Sequence, residues 1–251
     1  MMSPLTMKQN RERGFTLLEL LIVISIIAIL SIALVFMLNP AETLKKSRDA
    51  QRISDLKTVK TALGIMLTSS STPSLDNFGA VCLTSTTPAG VTTANATAKI
   101  SYSYDGTVAC TGAGPAAGSD AASTFGGSAA WCRNGTSGSV QKVDGTGWIP
   151  VNLKALSGGT PISSFPVDPV NTVSATTPGA TDLVYRYACQ NGTSATVGAG
   201  KPAYIFEIDA VLESNAYTVD DNKMSKDGGD NTDKYETGNS LNILPITGAA
   251  F

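Results

Sequence analysis

Two kinds of apolar pattern follow one another along the first seventy or so residues. From Phe15 to Leu38 the chain reads FTLLELLIVISIIAILSIALVFML, apolar all round a helix, with Glu19 as its single charge. At ~1.5 Å per residue such a helix is ~36 Å long, enough for the ~30 Å hydrocarbon core of a bilayer. Asn39-Pro40 then interrupts the run. Proline lacks the backbone donor and crowds the preceding turn, so a kink or local break is expected there. Beyond it Ala41, Leu44, Ile53, Leu56, Val59, Leu63 and Met66 recur at helical intervals. Lys45, Lys46, Arg48, Arg52, Lys57 and Lys60 fall mostly off that stripe. The spacing predicts an amphipathic continuation over 39–71, ending near Thr68–Ser71 before Pro73. Together the two stretches make one rod of roughly 50 residues, with the Leu and Met stripe facing a sheet.

Past Thr72 the pattern shortens into β-rich runs separated by turn residues. Lys99–Tyr104, Ser139–Val143, Trp148–Val151, Leu183–Cys189 and Ala203–Leu212 are the predicted strands. Stretches such as TGAGPAAGSDAASTFGG from Thr111 to Gly127 read as loops. Pro166-Val167-Asp168-Pro169-Val170-Asn171 reads as a turn, which Pro and Asp fix locally. No long internal repeat is present. The predicted fold class is α+β: a long N-terminal helix packed on a small antiparallel sheet, with residues 72–251 as one head carrying long loops.

Composition narrows the chemistry. The 251 residues include 18 Lys+Arg, 20 Asp+Glu and no His, for a net charge of −2. Without imidazole there is no Ser-His-Asp or Cys-His nucleophile and no His general base. Gly112-Ala113-Gly114 and Gly198-Ala199-Gly200-Lys201 complete neither nucleotide-loop motif, and no G-x-S-x-G elbow occurs. No catalytic residue is assigned. A near-neutral charge also argues against general nucleic-acid binding.

Topology follows from the charges around the oily run. Lys8, Arg11 and Arg13 hold the N-terminal side in the cytoplasm, which places everything after about residue 40 outside. A cleavable secretory signal would have a shorter apolar core followed by small residues, and Val35-Phe36-Met37-Leu38 offers no such site. The later Lys and Arg residues then face outward, either solvated or paired with acids on adjacent subunits. Cys82, Cys110, Cys132 and Cys189 would all lie outside the cytoplasm, where two disulfides are expected. Of three connectivities, Cys82–Cys110 with Cys132–Cys189 is favoured, since it closes one local loop and ties the irregular insert to a strand. Zinc is disfavoured by the absence of His and of CxxC spacing.

Glu19 is what a plain anchor leaves unexplained. A carboxylate in an apolar helix costs ~2.5–3.5 kcal/mol near the bilayer centre and needs a partner. If the chain were cut after Gly14, the new amine of Phe15 would lie one turn away and could neutralise it, within one chain or between neighbours. Arg13-Gly14-Phe15-Thr16-Leu17-Leu18-Glu19 resembles the type III signal of type IV pilins and pseudopilins. The resemblance implies a leader of residues 1–14 cut after Gly14 by a prepilin peptidase, an N-methylated Phe15, and Glu19 as the glutamate that aids filament assembly. Residues 15–38 would be the transmembrane and assembly helix. The stretch from Arg48 through Leu56 resembles an RDAQRISDL-like segment of pilin-like proteins, and Pro166–Asn171 resembles the P-x-DP-x-N segment of pseudopilin-like heads.

The function this implies is structural: a prepilin that becomes a subunit of a type IV pilus-like surface filament. The alternatives are a pseudopilin of type II secretion and an anchored binding head that never polymerises. Implied partners are further pilin subunits, prepilin peptidase, an inner-membrane assembly platform and the bilayer. The implied location is the bacterial inner membrane, single-pass, with an extracellular or periplasmic filament after assembly. No cofactor is expected beyond a possible calcium ion. Some major pseudopilins carry a calcium loop near the acidic stretch that here holds Asp227, Asp230 and Asp233, although Lys223, Lys226 and Lys234 would oppose a cation. Asn95, Asn134 and Asn191 fit the glycosylation sequon, as chance allows in a Thr-rich chain.

Overall fold

The computed structural model describes residues 14–76, 81–82, 99–106, 132–134, 138–174, 178–179, 181–191, 204–241 and 243–244. The chain divides into two compact units, Met1–Leu44 and Lys45–Phe251.

In the first unit, α1 spans Leu17–Leu38 and its apolar side chains are exposed all round. Asn39 closes it in the left-handed region at φ 37°. The same residue opens the next helix: its Oδ1 and its carbonyl accept the Glu42 N–H at 3.4 and 3.1 Å. Pro40 is the first residue of α2, Pro40–Ser69, where a missing N–H costs nothing and φ is already helical. Of the two outcomes expected, a kink or a local break, the chain takes the break, one residue wide, so the expected rod is made of two helices. A proline ring in mid-helix would meet the carbonyl four residues back, and Asn39 avoids this by leaving the helical region.

In the second unit, Leu56, Val59, Ala62, Leu63 and Met66 of α2 are buried in one core, as their spacing predicts. Leu44, placed on the same stripe by the sequence, is exposed. The helix ends at Ser69, inside the expected interval.

Five strands follow: β1 Ile100–Tyr102, β2 Cys132–Asn134, β3 Arg186–Gln190, β4 Ile205–Ala210 and β5 Tyr235–Gly238. Their order in the sheet is β2-β1-β3-β4-β5. The four strands β1, β3, β4 and β5 are antiparallel, with Tyr187 opposite Ser101 and Ile208, and Ile208 opposite Thr237. β2 adds to β1 in parallel. Period-two alternation puts Tyr187, Cys189, Phe206, Ile208 and Ala210 into the core shared with α2. The intervening Arg186, Gln190, Glu207 and Asp209 are buried as well, so the second face is covered rather than wetted.

Three predicted strands are present with shifted ends. Ser139–Val143 and Trp148–Val151 are not strands. They fold into a tight loop in which the Trp148 N–H meets the Val140 carbonyl at 2.8 Å and the Leu153 N–H meets the Val143 carbonyl at 2.8 Å. Gly147 permits this crossing, since a Cβ there would lie 2.1 Å from the Lys142 carbonyl oxygen. Trp148 is fully buried, and its indole N–H donates to the Pro166 carbonyl at 2.9 Å.

A cluster of charges fastens α2 to the rest of this unit. Arg52 is completely buried. Its guanidinium bonds Asp168 in bidentate fashion at 2.6 and 2.9 Å, Asp49 at 2.7 Å and Glu213 at 2.7 Å. Asp49 also accepts the backbone N–H groups of Glu213 and Ser214, at 3.0 and 2.7 Å. Arg48 adds a second fork on Glu213, at 2.9 and 3.1 Å. Burial opposes the charge on Arg52, but its bonds to Asp168, Glu213 and Asp49 outweigh that and raise its pKa further. Arg48 and Arg52 thus pair within their own chain, not as a solvated face or with a neighbour's acids.

The segment after α2 is tied to the end of β3. Cys82 and Cys189 form a disulfide, which overturns both favoured pairings, Cys82–Cys110 and Cys132–Cys189. Asp76 explains the closeness. It accepts the Val81 and Cys82 N–H groups at 3.0 and 2.8 Å and the Asn191 side-chain amide at 2.7 Å. Tyr187 adds an O–H bond to the Leu75 carbonyl at 3.0 Å. Cys110 and the side chain of Cys132 lie outside the described residues.

Arg52→Met should lower the stability of this unit by about 3–5 kcal/mol, because it leaves Asp168 buried without its cation. Denaturant unfolding measures this, and a loss below about 1 kcal/mol would show that the cluster contributes little. Arg48, and then Arg52, hold the Glu213 carboxyl below its ordinary 4.5. Its stabilisation is complete above that value and is lost as the pH falls below it. Glu213→Gln should therefore flatten the acid limb of the stability profile. Among the three connectivities only one contains Cys82–Cys189, and it joins Cys110 to Cys132. Non-reducing peptide mapping is expected to recover these two pairs and no free thiol.

Candidate processing and assembly site

Gly14, Phe15 and Thr16 precede α1 and belong to no helix or strand. Phe15 is 86% exposed, and a Cβ added at Gly14 would meet nothing within 4 Å. The Gly14–Phe15 bond is thus accessible and outside any helix, as a peptidase requires. Among the described residues, none packs against position 14 closely enough to demand glycine there.

Thr16 caps α1, with extended backbone at φ −76° and ψ 149°. Its hydroxyl accepts the Glu19 N–H at 3.2 Å. The Glu19 carboxylate reaches back to the Thr16 N–H at 3.0 Å and to its hydroxyl at 2.9 Å. This is a capping box, and it satisfies two of the donors that a helix start leaves open. Glu19 therefore has a partner in the uncut chain, before any amine forms at Phe15. The Thr-x-x-Glu signal lies in the sequence, but the charge alone drew attention to Glu19. Farther along, Ser25 and Ser31 donate to the Leu21 and Ile27 carbonyls at 2.7 Å each, so neither hydroxyl is left bare on the apolar surface. Leu17–Val35 is long and apolar enough to cross a membrane, and none of it is buried.

Residues 9–35 match the family model of the prokaryotic N-terminal methylation motif. The chain carries the prepilin-type cleavage and methylation motif of type IV pilins and pseudopilins. The motif covers the Gly14–Phe15 junction, the capping box and nearly all of α1. With the apolar helix and the small antiparallel sheet, it fits a pilin-like prepilin anchored in an inner membrane. No curated protein and no solved structure matches the chain.

The other candidate residues lie elsewhere. Asp227 accepts the Gly229 and Glu236 N–H groups at 2.9 and 2.8 Å. Among the described residues no three acidic or Cys side chains converge as metal ligands, so Asp227, Asp230 and Asp233 are not gathered around a centre. Lys226 bonds Asp221 at 2.5 Å, and Lys223 pairs with the same carboxylate. Asn191 is engaged inside the fold, with Oδ1 on the Leu75 N–H at 3.0 Å and its amide on Asp76. Asn95 and the side chain of Asn134 lie outside the described residues. A surface cavity of about 410 Å³ beside Ser69–Ser71, Asn152 and Ser157 is lined without a titratable group.

Thr16→Val should cost about 1 kcal/mol of helix stability by removing the cap hydroxyl. Slowed-exchange measurements in detergent are expected to show faster amide exchange in the first turn of α1 and an unchanged second unit.

Proposed function

We propose that this chain is the precursor of a structural subunit of a type IV pilus-like surface filament. Prepilin peptidase would remove residues 1–14 and methylate the new amine of Phe15. Lys8, Arg11 and Arg13 would keep the leader in the cytoplasm, α1 would cross the inner membrane, and the second unit would be exported. The observation that carries this reading is one uninterrupted constellation. A basic leader, an accessible Gly14–Phe15 bond, a capped helix start at Thr16–Glu19 and an all-round apolar α1 occur in that order. The role is structural, and other pilin subunits, the assembly platform and the bilayer are its partners.

A pseudopilin of type II secretion is the second reading. Pro166–Asn171, which resembles pseudopilin-like heads, favours it. There Asp168 orders its own turn by accepting the Val170 and Asn171 N–H groups while binding Arg52. Surface filaments sheared from cells and seen by electron microscopy would support the pilus. Filaments confined to the periplasm would support the pseudopilus.

Mass spectrometry of assembled material should show a chain beginning at N-methylated Phe15, and an intact Met1 would sink both readings. Gly14→Val should accumulate uncut precursor with normal folding, because a side chain at position 14 meets none of the described residues. Glu19→Gln separates charge from cap. Glutamine can still close a capping box, so helix and insertion should survive. The negative charge that could offset a neighbour's Phe15 amine is gone, and incorporation into filaments should fall at least tenfold. Assembly at the wild-type level would reduce Glu19 to a cap, and the anchored, non-polymerising head would become the better reading.

A further inference from the structure

Among the described residues β5 ends the sheet, with β4 on one side only. Its backbone donors alternate in direction. The Asn239 N–H meets the Phe206 carbonyl at 3.2 Å, on the β4 side. Counting back by twos, the N–H groups of Thr237 and Tyr235 also face β4, and those of Glu236 and Gly238 face away. Outward donors on an end strand are a template on which another strand can add, and lysine or proline on that strand commonly prevents it. Tyr-Glu-Thr-Gly has neither.

The loop before β5 occupies this edge. Oδ2 of Asp227 accepts the outward N–H of Glu236 at 2.8 Å, nine positions away, while Oδ1 accepts the Gly229 N–H at 2.9 Å. Glu236 answers from the strand, where its Oε2 accepts the Asn231 N–H at 3.0 Å. Both Glu236 and Asn231 are buried by this clasp. Gly229 lies so close to the strand that a Cβ there would stand 1.7 Å from Glu236 Oε2. Gly228 turns at φ 90°, and a Cβ on it would meet Leu241, in the segment that leaves β5, at 4.0 Å. The Asp-Gly-Gly run is thus accounted for residue by residue by a loop laid along a strand edge.

We propose that the 227–231 loop guards the edge of β5 against strand addition, with Asp227 as its bolt, and that the partner it excludes is β5 of a second copy of this chain. The carboxylate of Asp227 supplies the acceptor that an incoming strand's carbonyl would supply. A charged acceptor holds the Glu236 N–H more strongly than a neutral one, so the guard outcompetes a weakly held strand. The second copy is the fitting occupant because antiparallel β5-to-β5 pairing sets the same outward groups of two identical edges against each other, a contact that a two-fold axis closes. Copies anchored through α1 would also share one membrane, where encounters are frequent. The guard serves a filament subunit and a non-polymerising anchored head alike, so it does not rest on the choice between them.

Hydrogen–deuterium exchange on the full chain in detergent, across a roughly hundredfold range of protein concentration, tests this. In the wild type the Glu236 amide should exchange slowly at every concentration. Asp227→Ala should speed it by roughly tenfold or more in dilute samples, through loss of one bond to a charged group, and protection should return as the concentration rises. Gly229→Ala, which lifts the loop with Asp227 still present, should do the same and decides the matter if Asp227→Ala unfolds. Slow exchange in the β3–β4 ladder identifies variants whose sheet is intact. Asp233→Ala removes an equal charge from an exposed residue outside the clasp and should behave as the wild type. An unchanged Glu236 amide in folded Asp227→Ala, or protection that concentration does not restore, overturns the proposal. Concentration-dependent protection in Asp233→Ala overturns it as well, because charge alone would then keep the copies apart.

Discussion

The buried guanidinium of Arg52 is the constraint on which the second unit depends. Its side chain has no access to water, so every N–H must find an oxygen in the protein. Asp49 on the same helix, Asp168 in the Pro-Asp-Pro turn and Glu213 just after β4 supply them. Three chain segments far apart in sequence are thereby fixed to one point. Removing any acid would leave the cation under-solvated, and removing the cation would leave the acids buried. Such a cluster adds little stability over an apolar core of the same volume, but it tolerates only one arrangement of its parts. Asp168 shows this economy: one of its oxygens both binds Arg52 and orders the turn.

What could be read from the sequence was local. The ends of α1 and α2 follow from composition, Asn39-Pro40 and Pro73, because caps and breakers act within a turn. β3 and β4 announce themselves through the aromatic and β-branched residues of the runs that hold them, Val184, Tyr185 and Tyr187 in one and Ile205, Phe206 and Ile208 in the other. β5, Tyr-Glu-Thr-Gly, does not alternate in hydrophobicity, since its buried Glu236 lies opposite Asp209 of β4 on the face away from the core shared with α2. The runs at 139–143 and 148–151 looked like strands because they are apolar and buried, yet a glycine crossing folds them into a loop. Buried loops and strands share a composition and differ only in where the backbone bonds go.

At the candidate processing site the motif was legible because it is contiguous. The partner of Glu19 was legible too, three residues away at Thr16, but it required asking what the helix start needs and not only what the charge needs. The Arg52–Asp168 pair was not. Its members are 116 positions apart, and each has an ordinary local explanation, a basic helix face and a turn. The Cys82–Cys189 bond was missed for a similar reason. Loop length favoured nearby partners, while Asp76 and Asn191 align the two ends from opposite sides.

That disulfide also changes what a chain break would mean. Cys82 and Cys189 are separated by 107 positions, so the covalent ring they close contains most of the Gly-, Ala- and Ser-rich sequence. A protease that cut once anywhere inside the ring would yield two polypeptides but not two molecules. α2 would remain bonded to β3, and through it to β4 and β5, by sulfur instead of by backbone. The interior of the ring is thus freed from carrying the molecule's continuity. Its sequence can lengthen, shorten or be nicked while the helix and most of the sheet stay one covalent body.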